Sequence, residues 1–179
     1  MMKLKNIAIL VAAFAASQMT YAASDSVKVN IKGEVVANSC TVTEKADGAS
    51  VDFGRVSVDD FGTDAGAVGS TQDFALHLTD CGADTESVTV SASGTADNNM
   101  TDAFANEAKD GAKNVAVTIF GGSDTNTQLK PAEGTVDYAL KAGEETNDLP
   151  FKAKLIRDSK DAIGTGSETS VVTLKLVYN

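Results

Sequence analysis

The sequence contains no tryptophan, one histidine (His77), two cysteines and two prolines in 179 residues. It is also short of positive charge: 15 basic residues stand against 25 acidic ones, a net charge of −10. Each scarcity removes a class of function. Nucleic-acid binding needs a basic footprint, which is missing. Metal centres built on several His or Cys ligands lack the ligands. A Ser-His-Asp site could draw only on His77 for its base. Aromatic residues reach only 6%, so a sugar-stacking platform is poorly supplied. No glycine-rich loop follows a strand and opens a helix, so nucleotide binding has no motif. Beyond the N-terminal region no stretch approaches 18 apolar residues, so no later helical membrane span is expected.

What is present starts with an export signal. Lys3 and Lys5 form a basic start, and Ile7 to Ala16 is an uncharged apolar run. Thr20-Tyr21-Ala22 supplies small residues at the two positions that cleavage after Ala22 requires. Residues 1–22 are therefore expected to be a signal peptide, leaving a mature chain of 157 residues from Ala23. Loss of two lysines leaves 13 basic residues against 25 acidic. At 42% hydrophobic and 22% charged residues, the chain has the composition of a globular protein. In an oxidising compartment two cysteines are expected to pair, here as Cys40–Cys81. Closing a loop of about 42 residues stabilises the fold by roughly 4 kcal/mol.

The mature chain reads as short strands. Val27, Val29 and Ile31 alternate with Ser26, Lys28, Asn30 and Lys32, the period of a strand with one buried face. Further strands are expected over Glu34–Val42, Val51–Val58, Asp73–Asp80, Ser87–Ser93, Val115–Phe120, Thr135–Leu140, Leu149–Arg157 and Thr169–Tyr178. Turn clusters such as Gly121-Gly122-Ser123-Asp124 and Gly164-Thr165-Gly166 separate them. Only Phe104–Lys113 could hold a helical turn, and its glycine and polar residues argue against one. Many short strands in one undivided segment predict an antiparallel β-sandwich.

The last strand is strongly patterned. Val172, Leu174, Leu176 and Tyr178 share one face; Val171, Thr173, Lys175 and Val177 share the other. Apolar strands near chain ends are edge hazards that proteins usually blunt. Either the two terminal strands pair with each other in a closed sandwich, or each pairs with another chain.

Other motifs carry less. Asp59, Asp60, Asp64 and Asp73 do not match an EF-hand loop, and Asp124-Thr125-Asn126 starts like one but fails at Thr127 and Gln128. Solvated loops are the expectation there. His77 should lie on the strand face opposite Leu76 and Leu78. Asn99-Met100-Thr101 matches a glycosylation acceptor, a pattern common without use.

Several stretches together resemble the chaperone–usher fimbrial subunits, of the type 1 major pilin kind. Ile31-Lys32-Gly33-Glu34-Val35-Val36 precedes Cys40 as in those pilins, and Cys81 follows about forty residues later. Val51-Asp52-Phe53-Gly54-Arg55-Val56 resembles the stretch between the family's cysteines. Asn147-Asp148-Leu149-Pro150-Phe151-Lys152-Ala153 resembles its late strand. Tyr178 is the penultimate tyrosine and Gly166 the fourteenth residue from the end, as in the family's C-terminal signature.

The resemblance implies an all-β, incomplete immunoglobulin-like sandwich that lacks its final strand, in residues 34–179. It implies a groove bordered by Gly166, Val172, Leu174, Leu176 and Tyr178, filled first by a periplasmic chaperone. At the outer-membrane usher, the N-terminal donor strand of the next subunit, residues 23–33 with Val27, Val29, Ile31 and Gly33, would replace it. Related donors often carry glycine at one inward position where this chain has Val27, which leaves the donor register open. The implied product is a head-to-tail homopolymer at the cell surface, with a tip adhesin or adaptor at its end and neither catalysis nor cofactor. A minor or adaptor pilin is the alternative within this class. A monomeric secreted carbohydrate-binding sandwich is the alternative outside it. The mature length leaves no room for an additional lectin domain.

Overall fold

In the computed structural model, residues 39–44 and 48–179 are described. Two antiparallel sheets face each other. The first runs β1 (Thr41–Val42), β2 (Val68–Thr79), β8 (Asn147–Arg157), β5 (Val115–Gly121) and β4 (Phe104–Ala105), and β6 (Thr127–Leu129) also pairs with β5. The second runs β7 (Thr135–Ala139), β3 (Ser87–Gly94) and β9 (Val172–Tyr178).

Alternation decides which residues meet between the sheets. From the first sheet come Leu76, Leu78, Val117, Ile119, Leu149 and Phe151; from the second, Val88, Val90, Val136 and Tyr138. Fully burying an aliphatic or aromatic side chain contributes about 1.5–3 kcal/mol, so this layer is the main cohesive element. Phe74 and Phe151 stack with ring centroids 5.3 Å apart. On the outer face of the first sheet, Ala103, Ala116 and Ile156 form a smaller cluster with Met100 against it. Asp97 folds that covering loop by accepting bonds from the N–H groups of Asn99 and Met100, both at 2.9 Å.

Pro150 lies inside β8, where a proline would ordinarily break the ladder. It sits opposite Ala75 of β2, beyond the point where β8's pairing with β5 ends at Lys152. Its carbonyl accepts a 2.7 Å bond from the Tyr138 hydroxyl, so its nitrogen also faces away from β2 and no ladder donor is lost. The same hydroxyl accepts a 2.9 Å bond from the Gly122 N–H. One phenol of the second sheet thus satisfies two backbone groups of the first, and burial pushes its pKa up to about 12.

Several expectations need correction. Val51–Val58 joins no ladder: Gly54 turns to φ 66° and its N–H bonds Asp52 Oδ1 at 2.8 Å, which interrupts the alternation. A 3₁₀ turn, Val58–Asp60, follows, capped reciprocally by Ser57 and Asp60. β2 begins five residues before its expected start; its first turn carries Gly69, above which the Phe61 ring packs so closely that a Cβ would collide with it. As its glycine and polar residues implied, Phe104–Lys113 holds no helix. Phe104 is buried and pairs with Val117, so tertiary packing draws its start into a strand. Of the expected strand Glu34–Val42, only Thr41–Val42 is a strand among the described residues.

Replacing Tyr138→Phe should leave Gly122 N–H and the Pro150 carbonyl without their partner. Thermal and denaturant unfolding should show a loss of about 1–3 kcal/mol. An unchanged midpoint would show that the phenol is not holding the two sheets together.

Candidate functional site: an apolar trough beside the edge strand β9

β9 pairs with β3 from Val88↔Tyr178 to Gly94↔Val172 and, among the described residues, with no strand on its other side. Alternate residues of β9 therefore turn N–H and C=O groups toward an unpaired edge. Its end does not fray, because Asn179 continues the pairing: its N–H donates to Ser87 O at 2.9 Å and its carbonyl accepts from Glu86 and Ser87.

The inward residues Val172, Leu174, Leu176 and Tyr178 are only half-buried, whereas Val88 and Val90 on the neighbouring strand are fully buried. The difference is a trough of about 670 Å³ between β9 and the first sheet. Val172, Leu174 and Leu176 form one wall, with Phe74, Leu76 and Ala153 among the facing residues. A second cavity of about 370 Å³, which includes Gly166 in its lining, adjoins it. Val51, Phe53 and Glu168 line both.

The wall near the start of β9 is positioned by Asn106. Its Nδ2 donates to Ala112 O at 3.0 Å and Ser167 O at 2.9 Å. Its Oδ1 accepts from the N–H groups of Ala108 at 3.0 Å and Thr169 at 2.9 Å. Gly166 lies so close to the backbone of Gly111 and Ala112 that any Cβ would collide there. Nothing in the local pattern singles out Asn106, Phe74, Ala153 or Glu168, because their role arises from elements far apart in the chain.

Cys40 and Cys81 are bonded. The bond pins β1, only two residues long, to the end of β2 beside the trough, and Gly82 N–H adds a 3.1 Å bond to Ser39 O. His77 lies on the outer face of the first sheet, opposite Leu76 and Leu78, with Nδ1 2.7 Å from Asp148 Oδ1. The hydrogen bond to Asp148 raises the His77 pKa. This pair is on the face away from the trough. Asp124 is occupied locally by Asn126, whose backbone and side-chain N–H groups it accepts. Val27, Val29, Ile31 and Gly33 lie outside the described residues.

Replacing both cysteines, Cys40→Ser with Cys81→Ser, should lower stability by about 2–5 kcal/mol. Calorimetry of the double variant beside the oxidised wild type measures it. Equal unfolding temperatures would mean that β1 is held by its ladder alone.

Comparison with known proteins agrees with this fold. The fimbrial protein family profile matches residues 29–179. The laminin-binding fimbrial subunit ElfA of Escherichia coli O157:H7 is 33% identical over 144 residues, covering 79% of this chain and 75% of that protein. The fimbrial-like protein YcbV of E. coli K12 is 29% identical over 152 residues, covering 84% and 85%. Among solved structures, the P pilus rod subunit PapA superposes with a TM-score of 0.62 at 20% identity, covering 78% of this chain and 99% of that one. A chaperone–usher pilus structure described for rod uncoiling gives 0.60 at 23% identity, covering 87% and 96%. With a matching family profile over most of its length, the chain belongs to the fimbrial protein family: it is a structural subunit of a surface fimbrium, not an enzyme, built on an immunoglobulin-like β-sandwich.

Proposed function

We propose that the trough beside β9 is an acceptor groove, and that the segment Ala23–Gly33 of a neighbouring copy fills it as a donor strand. The observation that carries this reading is an apolar trough along an unpaired backbone edge. An added strand would supply both missing components at once, ladder hydrogen bonds to β9 and side chains for the trough. Eleven extended residues span roughly 36 Å, longer than the roughly 24 Å of seven-residue β9. Burying Val27, Val29 and Ile31 would contribute roughly 5–9 kcal/mol in total. Donor and acceptor are different surfaces of one chain, so the contact is head-to-tail and grows into a filament.

Before a neighbour arrives, the same edge is an aggregation hazard. A periplasmic chaperone that lends a strand would protect it, and an outer-membrane usher would be the place of exchange. Residues 1–22 would direct the export that this route requires. On this reading, residues 34–179 form the pilin domain and residues 23–33 the donor arm.

Two alterations separate giving from receiving. Deleting residues 23–32 should leave a subunit that still co-purifies with the chaperone but ends filament growth. Leu176→Ser should instead weaken chaperone capture and lower periplasmic abundance several-fold, since the free subunit aggregates or is degraded. Electron microscopy and co-purification measure these outcomes. Filaments of normal length from the deletion, or undiminished capture of Leu176→Ser, would overturn the respective half of the assignment.

A further inference from the structure

Glu168 is the acidic residue placed where the two apolar cavities meet. Its carboxyl has a particular hydrogen-bond geometry. Ser170 Oγ lies 2.6 Å from Glu168 Oε1 and 2.8 Å from the carbonyl oxygen of Ala105. A serine hydroxyl carries one proton. Against an ionised carboxylate, that proton faces two acceptors, and one of them must turn to solvent for its donor. A protonated Glu168 removes the conflict: its O–H donates to Ser170 Oγ, and Ser170 donates to Ala105 O. The chain of bonds then runs unbroken from the trough wall to β4.

We propose that Glu168 is a proton-linked control on occupancy of the trough, neutral when a strand fills it, so that strand insertion takes up a proton. This rests on the acceptor-groove reading above. An inserted strand would remove solvent from a carboxyl that lines the trough together with Val51, Phe53 and Val172. Withdrawing water disfavours the charged form. Burial already raises the Glu168 pKa from its ordinary value, partly opposed by the bond from Ser170.

The charged groups on the elements packed around it do not offset that cost. On the arm before β2, Asp52 is engaged with the Gly54 N–H, and Arg55 makes no ion pair among the described residues. On the loop after β4, Glu107 accepts from Thr95, and Lys109, Asp110 and Lys113 make no ion pair there either. Beyond β1, Glu44 Oε1 accepts the His77 N–H at 2.9 Å. β8 and β9 present apolar residues to the cavities, Leu155 and Ala153 from one, Val172 and Leu174 from the other.

The sign follows from linkage. A carboxyl whose pKa is higher in the occupied than in the open state favours occupancy below its open-state pKa. That advantage is lost as pH rises through the occupied-state pKa. Acid should therefore tighten the inserted strand and alkali should loosen it.

The test uses the exported chain, residues 23–179, released from its chaperone complex and shown by sedimentation to be monomeric immediately before use, so that no second copy fills the trough, with a synthetic peptide of residues 23–33 as the probe. Peptide affinity is measured from pH 4.5 to 8 for wild type and Glu168→Gln, and carbon-13 NMR follows the Glu168 carboxyl of the wild type with and without peptide. The expected result is a higher Glu168 pKa with peptide bound, and wild-type affinity at least tenfold weaker at pH 8 than at pH 5. Glu168→Gln, which keeps an uncharged donor, should hold its affinity across that range. Equal pH dependence in both chains would overturn the proposal, as would a Glu168 pKa unmoved by peptide. No peptide binding at any pH in either chain would overturn the acceptor-groove reading and the linkage with it. The NMR titration of the unoccupied chain would still decide whether the Glu168–Ser170–Ala105 chain holds a proton.

Discussion

The edge of β9 is the constraint on which the rest of the molecule depends. A strand whose inner face is apolar and whose outer backbone edge is unpaired presents two unmet demands at once: hydrogen-bond partners and apolar cover. The sandwich meets the first on one side only, through β3, and meets the second only in part. Leu174 and Leu176 touch the core yet stay half-exposed, because among the described residues no neighbouring strand supplies side chains over Phe74, Leu76 and Ala153. On the proposed reading, folding and assembly are coupled through the same surface.

A fold with such an opening needs compensation elsewhere. The central strand β8 carries much of it, paired with β2 along most of its length and with β5 along its second half. Where its ladder to β5 ends, Tyr138 crosses from the other sheet and satisfies the backbone at Pro150 and Gly122. The disulfide holds the very short β1 at the trough's border, where a two-residue ladder alone would be marginal. Asn106 ties the segment leading into β9 to the loop after β4, so the wall of the trough is preset. Preorganisation of this kind lowers the ordering cost of binding.

The acidic balance acts at a different level. Fifteen basic against 25 acidic residues keep identical subunits mutually repulsive in solution. On the proposed reading, growth then depends on a specific apolar strand match rather than on general stickiness. Under the proposal above, Glu168 brings one of those acids to the trough, where burial raises its pKa.

Much of this was legible in the chain. Period-two alternation located β3, β7, β8 and β9 within a few residues, because each has one face more buried than the other; β5, also expected, is buried on both faces. His77 was placed on the outer face by the same rule, and the cysteine pair by compartment and number. Other parts were decided by tertiary structure alone. Val51–Val58 alternates in its first half, yet Gly54 bends it into an unpaired arm that lines the trough. The polar start of β2, Val68–Gln72, has no strand pattern and becomes a strand because β8 lies beside it. β4 and β6 are too short to leave a period. The apolar face of β9 could be read from Val172, Leu174, Leu176 and Tyr178, but not whether that face would be covered. Alternation reports which side chains share a face; only the arrangement of the two sheets decides what, if anything, lies opposite them.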